Sequence, residues 1–175
     1  MPSSAPSRAP SIYQITEPPL EPSKAGTACF QTNSELRSRL PNWSTPNNEA
    51  LVVVQYGPIG EWCFGAGATS MDLLFSGRST FNEDIGNWEV ASVTSMSGMF
   101  QGASSFNQDL SSWNLSSVTN MDKMFESATA FDQDLSSWEV SSVYTMQPMF
   151  AQASSFNHDL PQWNVSSVTN MNGIF

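Results

Sequence analysis

The sequence predicts an α/β solenoid in which each 25-residue coil contributes one short strand and one short helix. The prediction depends on apolar side chains that recur at an interval of 25 residues with no insertion from residue 75 onward. Several columns in one register cannot arise by chance. The columns are Phe75, Phe100, Phe125, Phe150 and Phe175; Phe81, Phe106, Phe131 and Phe156; Trp88, Trp113, Trp138 and Trp163; Met96, Met121, Met146 and Met171.

The spacing inside one unit separates a strand from a helix. Trp113 and Leu115 alternate with polar residues, as in a short strand with one buried face. Apolar residues then recur at spacings of three and four, the period of a helix that Ser117 or Thr119 could cap. A single coil cannot bury its apolar side, so the coils are expected to stack into one core. The helical stripe comprises Val118, Met121, Met124, Phe125 and Ala128.

The chain divides into a tail, a cap and the repeat array. Residues 1–26 contain six prolines, which is typical of an extended linker or stalk. Residues 27–67 are predicted to be an atypical N-terminal cap. Residues 68–175 are predicted to hold four regular coils after a degenerate first one. The array is expected to be truncated, or to associate through its last coil, because Phe175 has no following strand or cap.

Within the predicted cap, residues 34–40 suggest a short helix ended by Pro41. Residues 51–56 are β-branched and apolar and suggest a buried strand. Cys29 and Cys63 also lie in this region and are candidates for a disulfide bond, which suits an extracellular protein.

The net charge of −10 is concentrated in the array, where residues 81–175 hold ten acidic residues against Lys123 alone. Such a surface repels phosphate backbones and anionic lipid, which argues against nucleic-acid and membrane-surface partners. No stretch approaches the ~20 apolar residues of a membrane-spanning helix. The first residues also lack the apolar core of a signal peptide.

The polar positions left free by the repeat supply the candidate sites. An aspartate column could hold calcium, but it is expected to consist of turn residues that accept backbone amides. The outward strand positions form the candidate binding face. Three glycosylation sequons begin at Asn42, Asn114 and Asn164. The aspartate column is Asp84, Asp109, Asp134 and Asp159, and the candidate face is Asn87, Glu89, Ser112, Asn114, Ser137, Glu139, Gln162 and Asn164.

Nothing in the sequence indicates catalysis. His158 is the single histidine, and its column otherwise holds Glu83, Gln108 and Gln133, so it is interpreted as a variable turn residue. Nucleophile, phosphate-loop and dinucleotide motifs are absent, and no cofactor or metal is expected.

The run from Phe106 to Phe125 resembles the BspA-like leucine-rich-repeat surface proteins. The motifs F-N-x-D-[LI]-x-x-W and V-[TY]-x-M-x-x-[MI]-F recur in order over residues 71–175. The resemblance implies a right-handed solenoid at a cell surface or outside the cell, acting in adhesion or protein interaction. The sequence departs from full-length members in lacking a signal peptide and a carboxy-terminal anchor.

These observations together predict a non-catalytic surface or secreted module that binds protein in preference to glycan. A structural spacer of a cell wall or extracellular matrix, or a glycan-binding module, are the alternatives. A spacer would tolerate charge reversal at Glu89 or Glu139, whereas a binding face would not.

Overall fold

The computed structural model describes residues 29–39 and 57–175. Within them, helix α1 spans Asn33–Arg39 and a 3-10 helix spans Ile59–Glu61. The remaining described chain consists of turns and extended segments joined by single parallel bridges. The architecture is therefore carried by contacts between successive coils rather than by long regular elements.

The predicted linker over residues 1–26 and the predicted strand over residues 51–56 lie outside the described residues. The predicted helix in the cap is observed as α1, and Leu40 and Pro41 after it are also outside the described part.

The cap helix begins where the side chain of Thr32 accepts the amide of Glu35 at 3.1 Å, a cap that satisfies one otherwise unpaired amide. Leu36 is fully buried and anchors the helix on the first coil. Cys29 and Cys63 are joined by a disulfide bond with their Cα atoms 4.7 Å apart. The cap is thus fixed by a helix start, an apolar anchor and a covalent link.

The cap and the array are continuous in packing. The amide of Ser70 donates to Oδ1 of Asn33 at 2.9 Å. Trp62 stacks on Trp88 with ring centroids 6.1 Å apart and planes within 10°. Trp62 therefore extends the tryptophan column into the region that the sequence assigned to the cap.

The coils lie on one another in register. The amide of Met121 donates to the carbonyl of Thr145 in the next coil at 3.0 Å. Every second amide after it, at Lys123, Phe125 and Ser127, likewise donates to a carbonyl of the next coil. The amides between them bond within their own coil, as Met124 does to Met121 at 3.2 Å. Parallel bridges repeat at the 25-residue interval: Ser70 to Ser95, Ser95 to Asn120, Asn120 to Thr145, and Thr145 to Asn170.

The predicted helix over residues 118–128 is wrong, because this segment is a succession of turns. Lys123 and Ser127 adopt left-handed backbone conformations, with φ of 58° and 59°. A right-handed helix cannot continue through such residues. The spacing of three and four nevertheless identified the buried side chains, because turns that close with i to i−3 bonds also return side chains to one face.

The predicted strand over residues 110–116 is also wrong. Turns occupy residues 111–112 and 116–117, and the bridges lie on the other side of the coil. Trp113 and Leu115 are buried as predicted, at 3% and 1% exposure. The alternation of Trp113 and Leu115 with polar residues therefore predicts which side chains are buried, but it does not indicate strand pairing.

Stacked rings fill the core along the whole array. Phe125 lies between Phe100 and Phe150, with centroids 5.4 and 5.6 Å away. It also lies 4.0 Å from Phe131 of the next column, with nearly parallel planes. Offset stacking at these distances adds to the stabilisation from apolar burial. The core is thus a set of continuous columns shared by all coils.

Candidate functional site

Two sides of the stack are built differently. On one side, here called the backbone wall, the amides of each coil bond to the next coil's carbonyls. On the other, the side-chain wall, the described coils make no backbone-to-backbone hydrogen bond to one another. The backbone wall comprises residues 69–77, 94–102, 119–127 and 144–152, and the side-chain wall comprises residues 82–91, 107–116, 132–141 and 157–166.

An amide ladder joins the coils at the start of the side-chain wall. Asn107 donates its backbone amide to Oδ1 of Asn82 at 2.8 Å. Nε2 of Gln108 donates to the same oxygen at 3.0 Å and to the carbonyl of Asn82 at 3.1 Å. Gln133 repeats this contact with Asn107 in the next junction, at 2.8 and 3.2 Å. In both of these junctions, one asparagine therefore accepts three hydrogen bonds.

The junction between residues 132–141 and 157–166, which is the fourth when the contact of Trp62 with Trp88 is counted as the first, uses different residues in the same places. Asp132 replaces the asparagine and His158 replaces the glutamine. Nε2 of His158 lies 3.2 Å from the carbonyl of Asp132 and 3.3 Å from its Oδ1. The repeat pattern predicts a variable turn residue at His158 and does not predict its contact with Asp132. The signal was present, since Asp132 is the one position in its column that departs from asparagine.

The tryptophan column lies behind this ladder and belongs to the core. Trp138 is 2% exposed, and its Nε1 donates to the carbonyl of Leu110 in the preceding coil at 2.9 Å. Trp113 makes the same contact with Ile85 at 3.1 Å. Because the rings of Trp113 and Trp138 are buried and their indole N–H groups bond to the preceding coil, these rings do not form a stacking surface for sugars.

The aspartate column consists of turn acceptors. Oδ1 of Asp109 accepts the amide of Ser111 at 2.8 Å, and Oδ1 of Asp134 accepts the amide of Ser136 at 2.8 Å. These amide hydrogen bonds, followed by the serine side-chain contacts, lower the pKa of Asp109 and of Asp134. Asp84 accepts the amide of Gly86 in the same way.

The aspartates do not converge on a metal position. Within residues 29–39 and 57–175, no three or more His, Cys, Asp or Glu side chains gather in a group that could hold a metal ion. Asp159 differs from the rest of its column because Pro161, two residues on, has no amide hydrogen to offer. The geometry favours the turn interpretation of this column over the calcium one.

All eight residues of the candidate binding face are exposed on the side-chain wall. The two serine hydroxyls already donate hydrogen bonds within the array. Ser112 donates to the carbonyl of Gly86 at 2.5 Å, and Ser137 donates to the carbonyl of Ser111 at 2.9 Å. The carboxylates of Glu89 and Glu139, two coils apart, have no ion-pair partner among the described residues. They are the groups on this face most available to a partner. The exposed set is Asn87, Glu89, Ser112, Asn114, Ser137, Glu139, Gln162 and Asn164.

Two of the three sequons lie on this face. Oδ1 of Asn114 accepts the amide of Ser116 at 3.1 Å, and Oδ1 of Asn164 accepts that of Ser166 at 3.2 Å. Both asparagines are exposed, so a glycan on either would stand over the side-chain wall. Asn42 lies outside the described residues.

Large apolar side chains are exposed at a few places on the described coils. Leu73 and Tyr144 are 55% and 57% exposed on the backbone wall. Met171 and Phe175 are 39% and 72% exposed on the last described coil. Phe175 still stacks on Phe150, with centroids 5.7 Å apart, so it continues the core column with one face uncovered.

No curated protein matches the chain, and no solved structure matches it either. Among the described residues, no helix has the length and apolar character needed to cross a membrane. A family model described as "Mycoplasma protein of unknown function, DUF285" matches residues 48–151 and, in a second placement, residues 69–175. These matches cover the repeats and more than half of the chain. The protein therefore belongs to the DUF285 family.

Proposed function

We propose that the array is a non-catalytic interaction module, at a cell surface or secreted, whose side-chain wall binds another macromolecule. The observation that carries the proposal is the pair of exposed carboxylates of Glu89 and Glu139, without an ion-pair partner among the described residues, within a row of exposed polar side chains. Protein is preferred over glycan as the partner, because Trp88, Trp113 and Trp138, whose rings could stack on sugar, are buried. The resemblance to BspA-like surface proteins supports a role in adhesion or protein interaction.

Rigidity favours this face as a binding surface. The side chains are displayed from coils that are fixed by the amide ladder in front and the tryptophan contacts behind. A preorganised surface loses little conformational entropy when it binds. The fold class that we propose for this surface is a right-handed, leucine-rich-repeat-like solenoid, which the stacked 25-residue coils support.

An extracellular location is part of the proposal. The disulfide bond between Cys29 and Cys63 supports it, because such bonds persist in oxidising compartments and are rare in reducing ones. The acidic array disfavours nucleic acid and anionic lipid as partners.

The alternative function is a structural spacer, in which the stacked core sets a length and the wall binds nothing. The same residues distinguish the two functions. Reversal of charge at a binding face opposes the partner's own charges, whereas a spacer is indifferent to it.

The test is retention of surface or extracellular proteins, and of an array of glycans, on the intact immobilised chain. For a retained partner, we expect the double variant Glu89→Lys, Glu139→Lys to weaken binding about tenfold or more. The control variant Thr94→Lys, Tyr144→Lys places lysines at the same two-coil spacing on the backbone wall and should bind normally. Equal binding by both variants would show that the binding site lies outside the side-chain wall. If the chain retains no partner, that result would support the spacer.

A further inference from the structure

The fourth coil junction is chemically unlike those before it. In the second and third junctions, a neutral glutamine amide donates to a neutral asparagine of the preceding coil. In the fourth, Nε2 of His158 occupies the place of the amide nitrogen, and Asp132 presents a carboxylate where the others present an amide. Both partners of one contact have changed while its geometry is retained.

The contacts of His158 determine whether its Nε2 carries a hydrogen. Both atoms that face Nε2 of His158 are acceptors, the carbonyl and Oδ1 of Asp132, so Nε2 must carry a hydrogen. A neutral imidazole can satisfy this requirement. Protonation adds a positive charge against the carboxylate, which a glutamine at this position can never do.

The surroundings of His158 are acidic. Asp132 faces it from the preceding coil, and Asp159 follows it in the chain. The pKa of Asp134 is lowered first by the hydrogen bonds of Ser136 and, to a smaller extent, by the charge of His158. The ring of Phe156 packs at a centroid distance of 5.9 Å and carries no charge. The titratable groups named around His158 are therefore all carboxylates, and each attracts a positive charge on its imidazole.

We infer that the His158–Asp132 pair makes the fourth coil junction pH-sensitive, tightening it when His158 is protonated. The ionic part of the contact is present when His158 is protonated and absent when it is neutral, and histidine is the side chain whose charge ordinarily changes between about pH 5 and 8. The glutamine–asparagine junctions hold the same strength throughout that range. The part of the side-chain wall that carries Gln162 and Asn164 is then held more firmly in acid. The inference does not depend on what the wall binds.

Amide hydrogen exchange in the intact chain tests this directly, because two equivalent amides report on two neighbouring junctions. The amide of Asn157 donates to Oδ1 of Asp132 at 3.1 Å, and the amide of Asp132 donates to Oδ1 of Asn107 at 2.9 Å. We expect the ratio of their protection factors, Asn157 over Asp132, to rise about 1.5- to 5-fold from pH 8 to pH 5, the range for an exposed ion pair. Carboxylates stay ionised over this interval.

The matched control is Asp132→Asn with His158→Gln, which recreates the neutral pair of the earlier junctions. Its protection ratio should not change with pH, and His158→Gln alone should also abolish the rise. A constant or falling ratio in the unaltered chain would overturn the inference without any variant. An equal rise in the double variant would overturn it as well, because the pH dependence would then have another source.

Discussion

Nε1 of Trp138 lies 2.9 Å from the carbonyl oxygen of Leu110, 28 residues earlier in the chain and one coil away. The same bond recurs for Trp88, Trp113 and Trp163. The tryptophan ring thus fills the core while its polar edge joins two coils on the side where backbone bonds between coils are missing. A phenylalanine would supply the ring and not the bond.

Substitution of Trp138 by phenylalanine should therefore destabilise the chain by about 0.5 to 1.5 kcal/mol beyond its loss of apolar area, because the carbonyl of Leu110 loses one of its two donors and keeps only the amide of Trp113. Urea unfolding followed by circular dichroism measures the free energy of unfolding. Trp163→Phe is the control, since Trp163 is only partly buried and water can replace the lost donor. Equal losses in both variants would contradict this account of the column.

Lys123→Gly should raise the free energy of unfolding by about 0.5 to 1 kcal/mol. Lys123 has φ of 58°, and the left-handed conformation costs a residue with a Cβ about 1 to 2 kcal/mol, from which the greater flexibility of unfolded glycine is subtracted. Gly98 already holds the equivalent position one coil earlier, with φ of 60°. Lys123→Ala removes the same side chain without relieving the backbone and should give no gain. Thermal and urea unfolding of both variants would decide the matter.

The array should lose stability in acid through Asp109 and Asp134. Amide hydrogen bonds lower the pKa of each, so their contribution is complete above the ordinary aspartate pKa of about 3.9 and is lost as the pH falls below it. Asp109→Asn with Asp134→Asn keeps the acceptor oxygen and removes the titration. Melting temperature between pH 6 and 2.5 should fall less steeply in this variant. Asp159→Asn is the control, because Pro161 offers no amide hydrogen.

Millimolar calcium should leave the melting temperature unchanged. The carboxylates of Asp84 and Asp109 each direct one oxygen at an amide of their own turn, and no site gathers them. A calcium site filled at a hundredfold excess over its Kd would add about 2.7 kcal/mol, which is several degrees in a chain of this size. Differential scanning calorimetry with calcium and with a chelator measures the difference. A rise of several degrees would revive the metal interpretation of this column.

The sequence predicted the period and the buried columns because both are periodic properties of side chains. Phe125 and Trp113 could be placed in the core from spacing alone. Their backbone conformation could not, since a helix and a row of turns with i to i−3 bonds return side chains to one face at nearly the same interval. Gly98 and Gly102 four residues apart, and Pro148 in mid-segment, were the signals against a helix.

Contacts between coils were harder to predict than burial. The repeat aligns His158 with Gln133, but it does not say that each reaches back 26 residues to the acceptor of the preceding coil. That offset depends on the direction in which the side chain leaves its turn. The candidate face was easier to place, because outward polar positions such as Glu89 and Glu139 follow from alternation with buried neighbours.

Register has a consequence for how such a chain can grow. Each 25-residue unit presents both donors and acceptors to its neighbours: toward the following coil, Met121 donates its amide to Thr145 and Asn107 accepts the amide of Asp132. Duplication or deletion of one whole unit therefore leaves every remaining junction with its partners. An insertion of any other length displaces all later columns at once. Genes for such arrays can vary in length by whole 25-residue coils. The length of the stack then changes while its cross-section stays the same.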